Sequence, residues 1–324
     1  NLVSNAVKYN RDGGRVDVRA SADDETVSVA VTDTGIGMTP AEQAKLFGEF
    51  RESRKWEERA EDRLIWFGKN SFFADGGYGE RVWGYGHLAL SEMAGAIDTA
   101  RRYDGFPSRG TEIERAVRKA LRWYAKTLGP RERMPAYGDG APTPVPAPAM
   151  LDLVKKAWPK CTDRYLGVDR TRSYLLRSSE FAVMRNGNED ESVYVNLSFG
   201  KYAGWHSHYD QFNLNLWAFD TPVIEEVDRW GPYHNPLDTL VRMPECHNQV
   251  LIDGMVYDNR FEGAQDVQWL STDAADCFTA THRAYRYFVY AFREHGCFNI
   301  EGVVRRTVVF VKDPGYVLVM DSVA

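Results

Sequence analysis

Apolar and polar positions fall into three regimes along the 324 residues. Over residues 1 to 50 a helical pattern, "NLVSNAVKY", precedes two runs of period two, "GRVDVRA" and "TVSVAVTD". A second helical pattern follows, "TPAEQAKLFGEF", opened by the cap-like pair Thr39 and Pro40. This order predicts an α+β piece. From 51 to 63, "RESRKWEERAEDR" is nearly all charged, which predicts a solvated helix or a seam between modules. A helical regime comes next. In "TEIERAVRKALRWYAKTL" the apolar residues Ile113, Ala116, Val117, Ala120, Leu121 and Tyr124 form one stripe, with Thr111 and Glu114 as a capping box and Gly129-Pro130 as the stop. The preceding "HLALSEMAGAIDTARRY" carries Leu90, Met93, Ala94 and Ile97 in the same register, so two helices can pack stripe to stripe. Six of the 14 prolines then fall between 130 and 148, which predicts an extended linker.

Beyond about residue 175 the period becomes two. "EFAVMR", "SVYVNLSF", "QFNLNLWAF", "NQVLIDGMVYD", "VQWLSTD", "HRAYRYFVYAF", "VVRRTVVFV" and "GYVLVMDSV" are short β-rich runs between turn residues, which predicts stacked antiparallel sheets. The last run stops at Ala324 without a turn and the chain opens on Asn1, so both ends read as truncated.

Composition adds limits. With 44% hydrophobic and 13% aromatic residues the chain can build two cores. A net charge of −6 without a basic block argues against a nucleic-acid partner, though a local basic pocket could still take an anionic sugar. No apolar run reaches the ~18 residues of a membrane span, and no secretion leader opens the chain. Cys161, Cys246, Cys277 and Cys297 lack CxxC spacing, which leaves buried free thiols as the reading, with one disulfide open.

"NLVSNAVKY" resembles the N box, "DTGIGM" the first glycine box and "LFGEF" the phenylalanine-containing box of the histidine-kinase ATPase domain. The resemblance implies that Asn5 would hold magnesium, Lys8 reach phosphate, Tyr9 flank the base and Asp33 accept from the adenine amino group, with Gly35 and Gly37 letting the backbone turn near the nucleotide. The second Gly-rich box has no match downstream; the nearest stretch, "DGGYGERVWGYGHL", is aromatic and charged. Without that phosphate loop and its strand, Mg-ATP binding is not expected.

"GWHSHYDQFNLNLWAFDTPVIEEVD" holds His206 and His208 two apart in a β-rich context, so their side chains should point the same way, and "ECHNQVLIDG" adds a histidine at the head of an expected strand. Three histidines and a carboxylate are enough for zinc. "GWHSHYDQFNLNLWAFDTPVIEE", "CHNQVLIDG", "ATHRAY" and "RRTVVFVKDPGYVLVMD" together resemble the β-sandwich of heparinase II/III-like polysaccharide lyases, and "FFADGGYGERVWGYGHLAL" resembles a segment of the same family's α/α toroid. The similarity covers about residues 60 to 324.

That resemblance implies β-elimination at a uronic acid: the carboxylate is neutralised, a base removes the C5 proton, and an acid protonates the leaving O4. A tyrosine can act as such a base or acid only if its pKa is lowered by nearby groups. Tyr85 matches the toroid tyrosine and His206 the sandwich histidine, and Tyr233 is the candidate second tyrosine, as general acid. His208 and His247 match the zinc ligands, with Glu226 where an Asp is usual and Glu225 and Asp228 as competitors for the carboxylate; the metal is expected to be structural. One group is missing. The family's Asn or His for the substrate carboxylate falls, counted back from Tyr85, near residue 30, inside the kinase-like hairpin.

The expected architecture is multi-domain α+β: an ATPase-type α/β sandwich fragment over 1–52, partial α/α toroid helices over 53–128, a Pro-rich linker and connecting segment over 129–172, and an antiparallel β-sandwich over 173–324. The join is expected within 51 to 63. The expected activity is that of a polysaccharide lyase on an acidic, uronate-containing glycan, impaired in this form, and the resemblance implies a periplasmic or secreted setting for the lyase-like part. The rivals are a remnant of a sensor-kinase ATP module and a non-catalytic carbohydrate-binding sandwich.

Overall fold

A computed structural model of the chain describes residues 2–23, 26–37, 40–102, 110–140, 152, 167–227, 236–252, 259–260, 262–286 and 301–324. It divides into two units, Asn1–Ala60 and Glu61–Ala324. In the first, helix α1 (Leu2–Lys8) precedes an antiparallel hairpin of β1 (Val16–Ala22) and β2 (Val27–Asp33), registered from Val16 opposite Asp33 to Ala22 opposite Val27. Asp23 closes the hairpin by accepting from the Thr26 amide at 2.7 Å. Ala6 is the one buried side chain described in this unit, and Val18, Val27 and Val29 are exposed. Helix α2 (Pro40–Asn70) contains the boundary between the units, and its residues 55–60 are solvated, as the charged run predicts.

The second unit begins with helices. Its stripes are the expected ones: Leu90, Met93, Ala94 and Ile97 of α3 (Trp83–Arg102) and Ile113, Val117, Ala120, Leu121 and Tyr124 of α4 (Gly110–Thr127) are all buried in one cluster. Trp83 ties the two helices, donating Nε1–H to Thr127 Oγ1 at 2.9 Å while its carbonyl accepts from the Tyr124 hydroxyl at 2.5 Å. The expected cap residue Thr111 lies inside α4, with its side chain outside the description.

Two antiparallel meanders follow. One sheet runs β3 (Tyr174–Leu176), β4 (Phe181–Arg185), β5 (Tyr194–Ser198), β6 (Leu214–Ala218) and β7 (Thr221–Ile224); the other runs β8 (Gln265–Ser271), β9 (Ala275–His282), β10 (Val304–Val311) and β11 (Tyr316–Val323). Ala182, Met184, Val195 and Leu197 of the first share an apolar cluster with Phe278, Ala280, Val308 and Phe310 of the second. The opposite face of the first sheet meets the helices through Leu176 and Phe181, so every residue of β4 and β5 is buried. A strand covered on both faces loses its alternating requirement.

Three expectations are corrected. The described part of the segment expected as an extended linker is packed into the core: Met134 to Gly140 are buried, and the Tyr137 hydroxyl donates to the Asn196 carbonyl on β5 at 2.7 Å. No strand forms over 248–252, and 284–286 is a 3₁₀ turn; the rest of those two runs, 253–258 and 287–292, lies outside the described residues. Cys246 and Cys277 are free thiols but only partly buried, while Cys161 and Cys297 lie outside the description.

Candidate active site and metal centre

Tyr85 stands in the first turn of α3, and the loop before β6 brings His206 onto it. Their rings stack with centroids 3.6 Å apart and an interplanar angle of 14°. On the His206 ring, Nδ1 lies 2.6 Å from Glu80 Oε2, a contact that fixes the orientation of the imidazole. The loop is not a strand, so the period-two expectation for His206 and His208 does not hold. Gly204 and Trp205 have φ of +86° and +44°, and the Ser207 amide donates to the Gly204 carbonyl at 3.0 Å, so the chain turns as it enters His206. Backbone contacts lock that turn. Asp139 N–H donates to the His206 carbonyl at 2.8 Å, Arg242 donates to the Trp205 carbonyl at 2.8 Å, and Ser207 Oγ accepts from the Ala203 amide at 3.0 Å. Gly138 is required where this loop crosses, since a Cβ there would sit 2.3 Å from the His206 carbonyl oxygen.

His208 turns inward. Its side chain and those of Glu226 and His247 have no solvent exposure, and one ligand atom from each lies within 4.8 Å of the others. His208 Nε2 is 3.1 Å from Asp139 Oδ1, and Asp139 is in turn held by Arg242 at 2.6 Å. That leaves His208 Nδ1 buried without a hydrogen-bond partner, as is His247 Nε2. His247 Nδ1 lies 2.5 Å from Glu226 Oε1, and Asn213 donates to the other Glu226 oxygen. Burial lowers the His208 pKa and so favours the neutral imidazole that a metal binds. Burial also pulls on His247, but Glu226 beside it wins and holds that imidazole above its ordinary range. Unpartnered nitrogens and a carboxylate oxygen converging in a dry pocket fit a zinc ion. Glu226, not Glu225, faces the histidines; Glu225 lines a different cavity with Arg133 and Trp217. Asp228 and the candidate acid Tyr233 lie outside the described residues.

Sequence reasoning missed Glu80, Asp139 and Arg242. Glu80 sits within the quoted "GGYGERVWGYG" stretch and could have been flagged as the one carboxylate near Tyr85. Asp139 and Arg242 carry no local signal, because only the fold brings them to His208.

In the first unit, Lys8 lies over the Tyr9 ring at 5.1 Å, and the Ile36 amide donates to the Tyr9 carbonyl at 3.2 Å. Asp33 Oδ1 accepts from the Gly35 amide at 2.8 Å, so the carboxylate expected on adenine closes its own turn. Gly37 has φ of +70°. Asn5 lies in α1, its side chain outside the description.

Two family profiles match the sequence: the histidine kinase-, DNA gyrase B- and HSP90-like ATPase over residues 1–64, and the heparinase II/III N-terminus over residues 41–161. The expected join falls in their overlap. The heme sensor protein HssS of Staphylococcus saprophyticus is 45% identical over 53 residues, 16% of this chain and 12% of that protein. Among solved structures, a heparinase III superposes with a TM-score of 0.69 at 19% identity, covering 86% of this chain and 42% of that one. The heparan sulfate lyase HepC of Pedobacter heparinus gives 0.67 at 18% identity, covering 85% and 42%. The chain thus spans about two-fifths of the length of these solved structures. Its larger part has the fold of heparinase III, and its first residues are similar in sequence to sensor histidine kinases. Among the described residues no helix is long and apolar enough to cross a membrane.

Proposed function

We propose that the second unit is a polysaccharide lyase module acting on a uronate-containing glycan by β-elimination. The observation that carries this reading is the stack of Tyr85, from the helical layer, on His206, from the loop before β6. In this reading Tyr85 takes the C5 proton, His206 holds the sugar against it with its ring fixed by Glu80, and Tyr233 protonates the departing O4. Electrons from the C5–H bond form the C4=C5 double bond as the C4–O4 bond breaks, so the product carries an unsaturated end. His208, Glu226 and His247 would hold a structural zinc, whose contribution is to cross-link the His208 loop to the segment after β7 and the turn before His247. The helices read as part of an α/α toroid, the two sheets as a sandwich, the setting as periplasmic or secreted, and the first unit as an ATPase remnant. The turnover rate is expected to be low. Near residue 30 this chain has β2 instead of a carboxylate-neutralising donor, and losing one such donor costs on the order of 10²- to 10³-fold.

The experiment is a panel of uronate polymers assayed for the conjugated alkene. The expected result is alkene formation that falls by about 10²-fold or more in Tyr85→Phe and His206→Ala. A Tyr85→Phe variant as fast as the parent sinks the assignment. Glycan binding without alkene on any polymer favours the non-catalytic sandwich, the second reading that the missing donor keeps in view. A chelator arm reads stability: zinc at a hundred times its Kd adds about 2.7 kcal/mol to the parent, and none to His208→Ala.

A further inference from the structure

The stripe that buries α4 leaves its opposite face to solvent, and that face is basic. Arg115, Arg118, Lys119 and Arg122 recur at i, i+3, i+4 and i+7, all exposed. They border a groove of about 660 Å³ whose other wall is Gly68 and Lys69 at the end of α2, and whose floor includes Phe72, Phe73 and Ala74. A merely solvated helix face intersperses both signs and closes i, i+4 pairs. Here Arg118 closes one such pair, 3.8 Å from Glu114, and Glu112, the groove's one lining carboxylate, lies 2.7 Å from Lys69. Arg115, Lys119 and Arg122 have no ion pair among the described residues. In a chain of net charge −6, three unpaired cations around an aromatic floor make a local field of the opposite sign.

We infer that this groove is a second binding site for an anionic polysaccharide, one that grips the polymer away from the residues that would cleave it. The inference rests on the lyase reading for its choice of polymer and on charge complementarity for its place. Arg115 and Arg122 stand about 10 Å apart along the helix axis, and Lys119 lies between them. That row can meet successive carboxylate or sulfate groups along a glycan. Arg guanidinium groups take such oxo-anions two oxygens at a time, and the Phe72 and Phe73 rings offer an apolar surface to the sugar faces. None of the groove's lining residues is Tyr85, His206, Glu80 or a metal-centre residue. Holding the chain at a second point raises its local concentration at the first, an effect reserved for polymers long enough to reach both.

The test uses the full chain, a long heparin-type polymer, neutral dextran and a short oligosaccharide of the same uronate. The variant Arg115→Glu/Lys119→Glu/Arg122→Glu is expected to lose more than tenfold in affinity for the long polymer, with a flatter salt dependence. Binding and any cleavage of the short oligosaccharide stay at parental levels. Arg115→Lys/Arg122→Lys, which keeps the charge and gives up the two-oxygen grip, loses less than the reversed variant, and Arg115→Gln/Lys119→Gln/Arg122→Gln, with parental helicity by circular dichroism, loses the affinity without charge reversal. Polymer affinity unchanged in both the charge-reversed and the neutralised variant overturns the inference, even where the parent cleaves. Polymer binding lost on charge reversal in a parent that forms no unsaturated ends upholds the groove and removes the lyase reading instead. Tighter binding of single-stranded DNA than of the glycan assigns the groove to another polymer class and overturns the proposal.

Discussion

His282, at the end of β9, shows what one buried side chain imposes on the pH range of the fold. Its ring meets Phe212 at 5.1 Å and Tyr285 at 5.9 Å, and its Nδ1 accepts from the Ala284 amide at 3.2 Å. Burial, reinforced by the charge of Arg306, pushes its pKa down to about 3. An unfolded histidine titrates near 6.5. Above that value both states are neutral and the residue is indifferent to pH. Between about 6.5 and about 3 the unfolded chain binds a proton that the folded one refuses, so stability falls as the pH falls, by up to about 1.4 kcal/mol per pH unit from this group. His282→Gln removes the titration. Its melting temperature is expected to drop less than the parent's between pH 7 and pH 4.5, the carboxylates contributing equally to both; parallel curves would contradict the assignment. Residue-scale features divide by how far their partners lie in sequence. His208, Glu226 and His247 were visible as metal-type residues in two quoted stretches, and the fold brings them together. The pairing of Glu80 and Asp139 with their histidines was not, because a carboxylate 126 or 69 positions from its histidine leaves no spacing to read.

At the scale of elements, periodicity was legible wherever one face of an element is buried and the other wet. The α3 and α4 stripes and the runs at β8 and β10 were read in place, and β4 and β5 were found by their β-rich composition. β9 was missed although it is central, paired on both sides by β8 and β10. Its sequence, "ADCFTATH", is low in β-branched and aromatic residues, and its position is set by its neighbours, not by propensity. The junction between helices and sheet was equally invisible. Arg81, buried, donates to Glu180 Oε2 at 2.9 Å, to the Glu180 carbonyl at 3.1 Å and to Ser198 Oγ at 3.0 Å, with its guanidinium 4.5 Å from the Phe181 ring. Gly200 makes room for it, since a Cβ there would fall 1.3 Å from Arg81 Nη1. Arg81→Ala strips the partner from Glu180 and leaves Ser198 Oγ buried, and should cost about 3 kcal/mol in urea unfolding. A loss below about 1 kcal/mol would mean that the aromatic stack of Trp83, Trp123 and Phe181 holds the layers without it.

At the scale of the molecule, the two units differ in what they bury. Among the described residues the second has two extensive clusters, one among the helices and one between the sheets, and the first has Ala6. The sequence changes family-like pattern and period across a charged run over 51 to 63, and the boundary after Ala60 lies inside that run. The hairpin and its short helix bury little apolar surface among the described residues, and such a two-stranded piece is marginally stable in water. The amides of β1 and β2 should therefore exchange with solvent at least about 100-fold faster than those of β4 and β5. Nucleotide supplies the second arm of the same measurement. Asp33, the residue that the kinase-like motif would aim at adenine, already accepts from the Gly35 amide. Mg-ATP is expected to leave exchange in α1 and β2 unchanged, because only a ligand that binds the folded hairpin can slow its opening. Slowing by ATP, in proportion to its concentration, would restore the signalling ATPase reading for the first unit while leaving the Tyr85–His206 stack of the second untouched.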